Sequence, residues 1–372
     1  MAHLQFMLNN FCSTRAIIVI FYGLLMLSCS KDNPKQTVIE LGLKKNYPEL
    51  HTTQFIKSWE LIPLETTQES VLPDANRCLF GFSKKSIFIY NKLNNSISVF
   101  SYNGELEYII KRHGQGPMEY TYPIQLLSNY NDQLIIVDRG QKVIVINHDG
   151  QSAFEVRFQN RLLSWVNNGS DGFSAIELKT GSTEIISIVK ISNEFEIINR
   201  QAIDSICLNP RYYNKARITM ANDLLLVLPY PIQDIYQVRK GHDLRHLCKL
   251  DLGPDAVSEN DDLMNDLQLL NTKAWVMKTT IIKDWLFITG GYQGVRVKAV
   301  NLKTNSIYNV SRSKESDSYS IVSQSSEMPF NFHGKINDET VFGIVTPEEV
   351  IDKYGVSVNE NSNFFLQIGF LK

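Results

Sequence analysis

One arrangement recurs along this chain, and the recurrence limits its fold more than any other feature. Two short apolar strands, separated by a polar break, are followed by a turn on Asn, Asp or Gly. The first copy is Ser86-Ile87-Phe88-Ile89-Tyr90-Asn91, Ser96-Ile97-Ser98-Val99-Phe100 and the turn Asn103-Gly104. The second is Leu134-Ile135-Ile136-Val137-Asp138, Val143-Ile144-Val145-Ile146 and Asp149-Gly150. Weaker copies lie at 173–178 with 185–191, 224–228 with 234–238, 285–289 with 295–301, and 340–345 with 364–370, six units in all. Short alternating strands punctuated in this way belong to an all-β fold. A fixed repeat of this length means modules that bury their apolar faces only against their neighbours.

Each unit has room for four strands. In the second they fall at 123–128, 133–138, 142–147 and 152–158, from inner to outer. The sixth runs out one strand short, with 330–336, 340–345 and 364–371, while 54–64 supplies a spare strand before the first. The spacing therefore predicts a six-bladed β-propeller whose N-terminal strand completes the last blade. Closing the ring leaves only short, protected edges. The rival is a seven-bladed ring with a degenerate blade between 250 and 280, but the helix-like run at 261–270 argues against a strand there. At 372 residues, 43% hydrophobic and 10% aromatic, the chain has the material for a core this large.

The N-terminus reads differently. A polar, weakly basic start is followed by twelve apolar residues from Ala16 to Leu27, then Ser28-Cys29-Ser30-Lys31-Asp32. Twelve are too few to span a bilayer and suit a signal peptide. The small residue before Cys29 resembles a bacterial lipobox, so residues 1–28 are expected to be removed and Cys29 lipidated; an ordinary signal peptide with an incidental cysteine is the alternative. Polar, aperiodic residues 29–52 read as a flexible tether, and 53–372 as the propeller domain. Cys78, Cys207 and Cys248 form no CxxC pair and read as buried thiols. A net charge of −2 without charge blocks gives no reason to expect nucleic acid.

Four stretches carry a family resemblance. They are Trp59-Glu60-Leu61-Ile62-Pro63-Leu64-Glu65-Thr66-Thr67, Gly114-Gln115-Gly116-Pro117-Met118-Glu119-Tyr120, Gln233-Asp234-Ile235-Tyr236-Gln237-Val238 and Asn363-Phe364-Phe365-Leu366-Gln367-Ile368. With them, residues 53–372 resemble the six-bladed, NHL- and TolB-like propeller lipoproteins abundant in Bacteroidota, which usually have glycine at the Met118 position. The resemblance implies a propeller fold and an outer-membrane location, on the periplasmic side or the cell surface, without an established activity.

In a propeller, the connection between blades opens on the same face as the loop between the two middle strands. The longest connections, 201–214, 253–274 and 311–329, share that face with the turn at 113–122 and with the insertion 346–363, whose residues 347–352 look helical. The opposite face carries tight turns. Long loops on a rigid scaffold are where function concentrates, so candidate ligand-binding residues are sought on the first face. Arg112, His113, Gln115, Glu119, Tyr120 and Tyr122 are the primary set, with Arg139, Tyr230 and Tyr292 beside them. Arginine suits an anion and the aromatics suit a sugar or peptide side chain. In the alternative, the Gly-Gln-Gly-Pro turn only shapes a blade junction, with Glu119 and Tyr120 satisfying its backbone. Asp138 and Arg139 read as a local ion pair.

His242 and His246 have the i, i+4 spacing of some zinc sites, but fall in a strand turn where that spacing does not converge, so no metal or cofactor is expected. No nucleophile elbow, P-loop or dinucleotide fingerprint is present. The reading is a lipid-anchored, non-enzymatic envelope module that binds a glycan, peptide or partner protein. A scaffold of an envelope complex is the second reading, and a propeller lyase or hydrolase with a channel metal the third.

Overall fold

A strand whose neighbours cover both its faces needs an unbroken apolar run rather than an alternating one. Leu134–Asp138 and Lys142–Ile146 are such strands, buried along their whole lengths. Six four-stranded modules, blade 2 built around these strands, are seen in the computed structural model of the protein. It describes residues 37–372 except 44, 73, 179–184, 203–216, 222–223, 229–233, 239–243, 257–268, 270–271, 292–294, 313–318, 322–329, 355–357 and 359–361.

Blade 1 comprises Cys78–Phe82, Ser86–Asn91, Ser96–Ser101 and Leu106–Ile110, all antiparallel. Blade 2 is Pro123–Ser128, Leu134–Asp138, Lys142–Ile146 and Ser152–Arg157, within a residue of the expected bounds. Blade 3 is Arg161–Asn167, Phe173–Leu178, Ile185–Ile191 and Ile197–Ala202. Blade 4 is Arg217–Ala221, Leu224–Leu228, Asp234–Val238 and Leu244–Asp251; blade 5 is Trp275–Ile282, Trp285–Gly291, Val295–Asn301 and Ser306–Arg312. Blade 6 takes Phe330–Lys335, Thr340–Val345 and Phe365–Leu371 from the C-terminal end, and its outer strand, Ile56–Pro63, from the N-terminal end. That closing strand pairs from Ile56↔Leu371 to Pro63↔Phe365. A short strand, Tyr319–Ile321, bridges the outer strand of blade 5 to the inner strand of blade 6.

The apolar core is divided among the junctions between blades. Ile87, Ile89 and Phe100 of blade 1 pack on Ile344, Leu366 and Ile368 of blade 6. Comparable clusters fill the junctions 1–2, 2–3, 3–4, 4–5 and 5–6. Each fully buried aliphatic side chain contributes about 1.5–3 kcal/mol, so an open junction would expose a whole cluster. Pairing at the last blade removes that exposure. Between residues 346 and 363 the expected helix forms as Pro347–Tyr354, with proline in its first turn; the Glu349 carboxylate accepts from the Thr346 amide (2.9 Å) and Asn331 Nδ2 (3.1 Å), and the Glu349 amide donates to Thr346 Oγ1 (3.3 Å).

Residues 38–43 and 45–52, expected to belong to a flexible tether, are folded onto the ring. Thr37–Glu40 is a fifth, outermost strand on blade 4, and the Leu41 amide donates to Asp251 O at 2.8 Å. Ile39, Leu41 and Leu43 bury themselves in the core between blades 4 and 5. Further on, the Leu50 amide donates to Asn309 O (2.9 Å) and the Asn309 amide to Pro48 O (2.8 Å), and the buried Lys298 ammonium donates to Lys45 O (3.0 Å) and Asn309 Oδ1 (2.5 Å) while lying over the Tyr47 ring. The reason is a period-two apolar trio, too short to stand out among polar neighbours, that completes a face the four-stranded blade leaves open. The helix-like run at 261–270 lies almost wholly outside the described residues.

Candidate functional site: the two faces of the ring

On the face with the long connections, the turn at 113–122 is built to satisfy itself. Glu119 folds back so that Oε2 accepts from the Gly116 amide at 2.8 Å, and a Cβ on Gly114 would stand 2.0 Å from that oxygen. Tyr120 is fully buried, its hydroxyl within bonding distance of the Ile110 (3.0 Å) and Asn95 (2.9 Å) carbonyls. Burial pushes its pKa well above the ordinary phenol value. The Met118 amide donates to Glu155 Oε2 at 2.7 Å, and Lys142 Nζ and Arg157 Nε lie 3.6 and 2.7 Å from the same carboxylate. Burial pushes the Glu155 carboxyl up, but the Met118 amide and the two cations outweigh it and hold the group below its ordinary value.

Met118 has φ +59°, in the left-handed region. Such a backbone costs a side-chain-bearing residue about 1–2 kcal/mol, a cost that glycine at this position would avoid. Partial burial of the Met118 side chain in the core between blades 1 and 2 offsets it.

The remaining expected residues scatter. Arg112 reaches across to Gly150 O of the next blade at 3.2 Å, the same hook that the Glu65 amide makes on Gly104 O one junction earlier (2.8 Å). Both hooked glycines have positive φ, +85° and +76°, as tight Asn-Gly and Asp-Gly turns require. His113, Gln115 and Arg139 are exposed, and Tyr122 is 59% exposed. Asp138 is buried and receives Thr121 N (3.1 Å), Thr121 Oγ1 (3.0 Å) and Tyr122 N (2.5 Å), in place of the expected pairing with Arg139. Tyr230 and Tyr292 lie outside the described residues, as does His242. His246 Nε2 sits 2.7 Å from Asp234 Oδ1. Burial pushes the Cys78 and Cys248 thiols up to about 12 and 11, which leaves them protonated and unreactive at neutral pH.

The opposite face, read from sequence as tight turns alone, holds an open depression of about 780 Å³. Its walls are the turns between first and second strands of four consecutive blades: Asn337 from blade 6, Ser83 and Lys84 from blade 1, Asn129, Tyr130 and Asp132 from blade 2, and Gly169 and Ser170 from blade 3. Glu60 of the closing strand and Phe370 of the strand beside it complete it. The turns are stitched together: Ser128 Oγ donates to Phe82 O (2.8 Å), Asn167 Nδ2 to Ser128 O (2.6 Å), and the Lys84 amide to Asp132 Oδ1 (3.0 Å). A signal pointing to this site is the Asn, Ser and Asp recurring in the first turns of blades 6, 1, 2 and 3, with Tyr130 among them. Among the described residues no three His, Cys, Asp or Glu side chains gather as a metal site would require.

The family model for a domain of unknown function, DUF4934, matches residues 36–369. The chain belongs to that family. No curated protein matches the sequence. This DUF4934 propeller superposes on a crystal structure of a Bacteroides fragilis protein described as exported, with a TM-score of 0.64 and 15% identity over 90% of this chain and 100% of that one. At that identity the likeness establishes the fold. Two weaker likenesses are a DUF4221 member from Bacteroides vulgatus (TM-score 0.47, 11% identity, 88% and 99% covered) and a virginiamycin B lyase from Staphylococcus aureus (0.42, 13%, 84% and 100%). Neither carries an argument about this DUF4934 chain. Among the described residues no helix is long and apolar enough to cross a membrane.

Proposed function

We propose that this propeller is a lipid-anchored binding module of the cell envelope, tethered to the outer membrane through Cys29, which takes its ligand at the mouth formed by the first turns of blades 6, 1, 2 and 3. One observation carries the binding reading: an open space of about 780 Å³ meets polar and aromatic groups there that the fold itself does not engage. Sites of this kind are concave, of roughly 300–1,000 Å³, and lined by apolar surface with a few convergent polar groups. The apolar run ending at Ser28-Cys29 supports the anchor, and the description of the Bacteroides fragilis protein as exported agrees with an envelope location.

A thermal-shift screen of the protein against glycans, peptides and envelope proteins tests the binding half, because a ligand specific for the folded state raises Tm. A shift that survives filling of the mouth by Ser170→Trp refutes the placement. Labelling with a radioactive fatty acid tests the anchor: label on the wild type and none on Cys29→Ser is expected. A scaffold role has support of its own in Phe154 and Ile198, exposed on the outer strands of adjacent blades 2 and 3. Loss of a co-purifying envelope protein on Phe154→Ser with Ile198→Ser would favour it.

A further inference from the structure

The residues around the mouth fall into two groups, and the division says what kind of molecule fits. One group is fully engaged by the fold. Asn129 accepts from the Asn131 and Gln133 amides and donates to Gln133 Oε1, Asn167 is held between Ser128 O and the Gly169 amide, and the Tyr102 hydroxyl donates to Ser83 O. These bonds set the shape of the rim before anything binds, which removes ordering cost from association.

The other group is left over. The hydroxyls of Tyr130, Ser170 and Thr340 have no hydrogen-bonding partner among the described residues, nor has Asn337 Nδ2, whose Oδ1 accepts from the Glu339 amide. Three hydroxyls and an amide N–H are neutral groups, and each hydroxyl can both donate and accept. Two aromatic rings stand in the same depression with much of their surface in water, Tyr130 at 51% and Phe370 at 40% exposure. Large apolar groups exposed within a concave polar site mark a ligand surface. The charges are mixed: Lys84 lines the mouth together with Glu60 and Asp132, and one Asp132 oxygen is already taken by the Lys84 amide. An anionic ligand would call for a cluster of cations, and a cationic one for carboxylates without the lysine.

We infer that the mouth binds a neutral oligosaccharide, with pyranose C–H faces stacked on Tyr130 and Phe370 and sugar hydroxyls bonded to Ser170, Asn337 and Thr340. A pyranose presents an apolar C–H face and a rim of hydroxyls that donate and accept, which is the complement of this set of groups. The inference rests on the binding-module reading above and deepens it.

The test is isothermal titration of the full-length protein with cellotetraose, xylotetraose, maltotetraose and mannotetraose, with tetragalacturonate, trilysine and triglutamate as charged comparators. Binding of at least one neutral tetrasaccharide is expected, weakened at least tenfold by Tyr130→Ala and by Phe370→Ala and unchanged by Tyr122→Ala on the other face. Both weakening variants alter exposed side chains, and an unchanged Tm in each shows that the fold is intact. Ser170→Trp is an independent variant that fills the mouth and should abolish binding. Neutral-sugar binding that survives Tyr130→Ala, Phe370→Ala and Ser170→Trp overturns the site. A charged comparator that binds with Tyr130 dependence, while the neutral sugars do not, overturns the sugar class and leaves the binding module standing. Silence from every neutral tetrasaccharide overturns the inference; if the thermal-shift screen is then also flat, the binding-module reading falls with it.

Discussion

Two tyrosines ten positions apart separate the two faces of this ring. Tyr120 belongs to a conspicuous glycine-rich turn, yet it is fully buried with its hydroxyl turned towards backbone carbonyls. Tyr130 belongs to an undistinguished turn between two strands and keeps both ring and hydroxyl available at an open mouth. A turn that stands out in sequence does so because its own geometry is demanding, and meeting those demands consumes its polar groups. Plain turns satisfy themselves with a few local bonds and leave other side chains over. Chemical availability, rather than residue type, distinguishes the faces.

The sharpest way to break this contrast is Tyr120→Ala. Truncating a fully buried aromatic costs about 3–5 kcal/mol, read as a lower urea midpoint; a loss under about 1 kcal/mol would show the junction to be plastic and the contrast false. Next comes Glu119→Ala, which leaves the partly buried Gly116 amide without its acceptor. About 1–2 kcal/mol is expected, with Glu119→Gln recovering part of it because the amide oxygen can still accept.

A pH titration sharpens the contrast further. Glu155 is held below the ordinary glutamate value near 4.5, so the unfolded chain binds the proton more tightly than the folded one. The stability it contributes is therefore complete above that value and disappears as the pH falls through the lower folded-state pKa. Glu155→Gln should flatten the acid limb of the stability curve, and an unchanged limb would remove the Met118–Glu155–Lys142 contact from the junction's supports. The smallest effect belongs to the open face: Tyr130→Ala and Asn337→Ala should each shift stability by no more than about 0.5 kcal/mol.

Sequence patterning carried the blades and their closure a long way, since the strands of blade 2 and the pairing of 54–64 with the C-terminal strand follow from apolar period and Gly/Asp punctuation alone. The helix at Pro347 was equally legible from the proline in its first turn. Burial within a family of like residues was not. The junction-shaping alternative named Glu119 and Tyr120, but the partners that hold Tyr120 inward, the carbonyls of Asn95 and Ile110, lie in the preceding blade and outside the turn. The mouth was hidden for a related reason. Its four turns come from stretches of sequence far apart, and only an account of which side chains already have partners shows what remains for a ligand. The segment before residue 53 was missed because Ile39, Leu41 and Leu43 make an apolar alternation three residues long.

That segment has a mechanical consequence. A pull on the chain ahead of Val38 does not reach the ring-closing strand directly. It must first peel Thr37–Glu40 from the edge of blade 4, withdraw three aliphatic plugs and break the grip of Lys298 on Lys45 O. The Ile56–Pro63 seam, on which closure of the ring depends, lies behind this clamp as a soldered joint lies behind the strain relief of a cable.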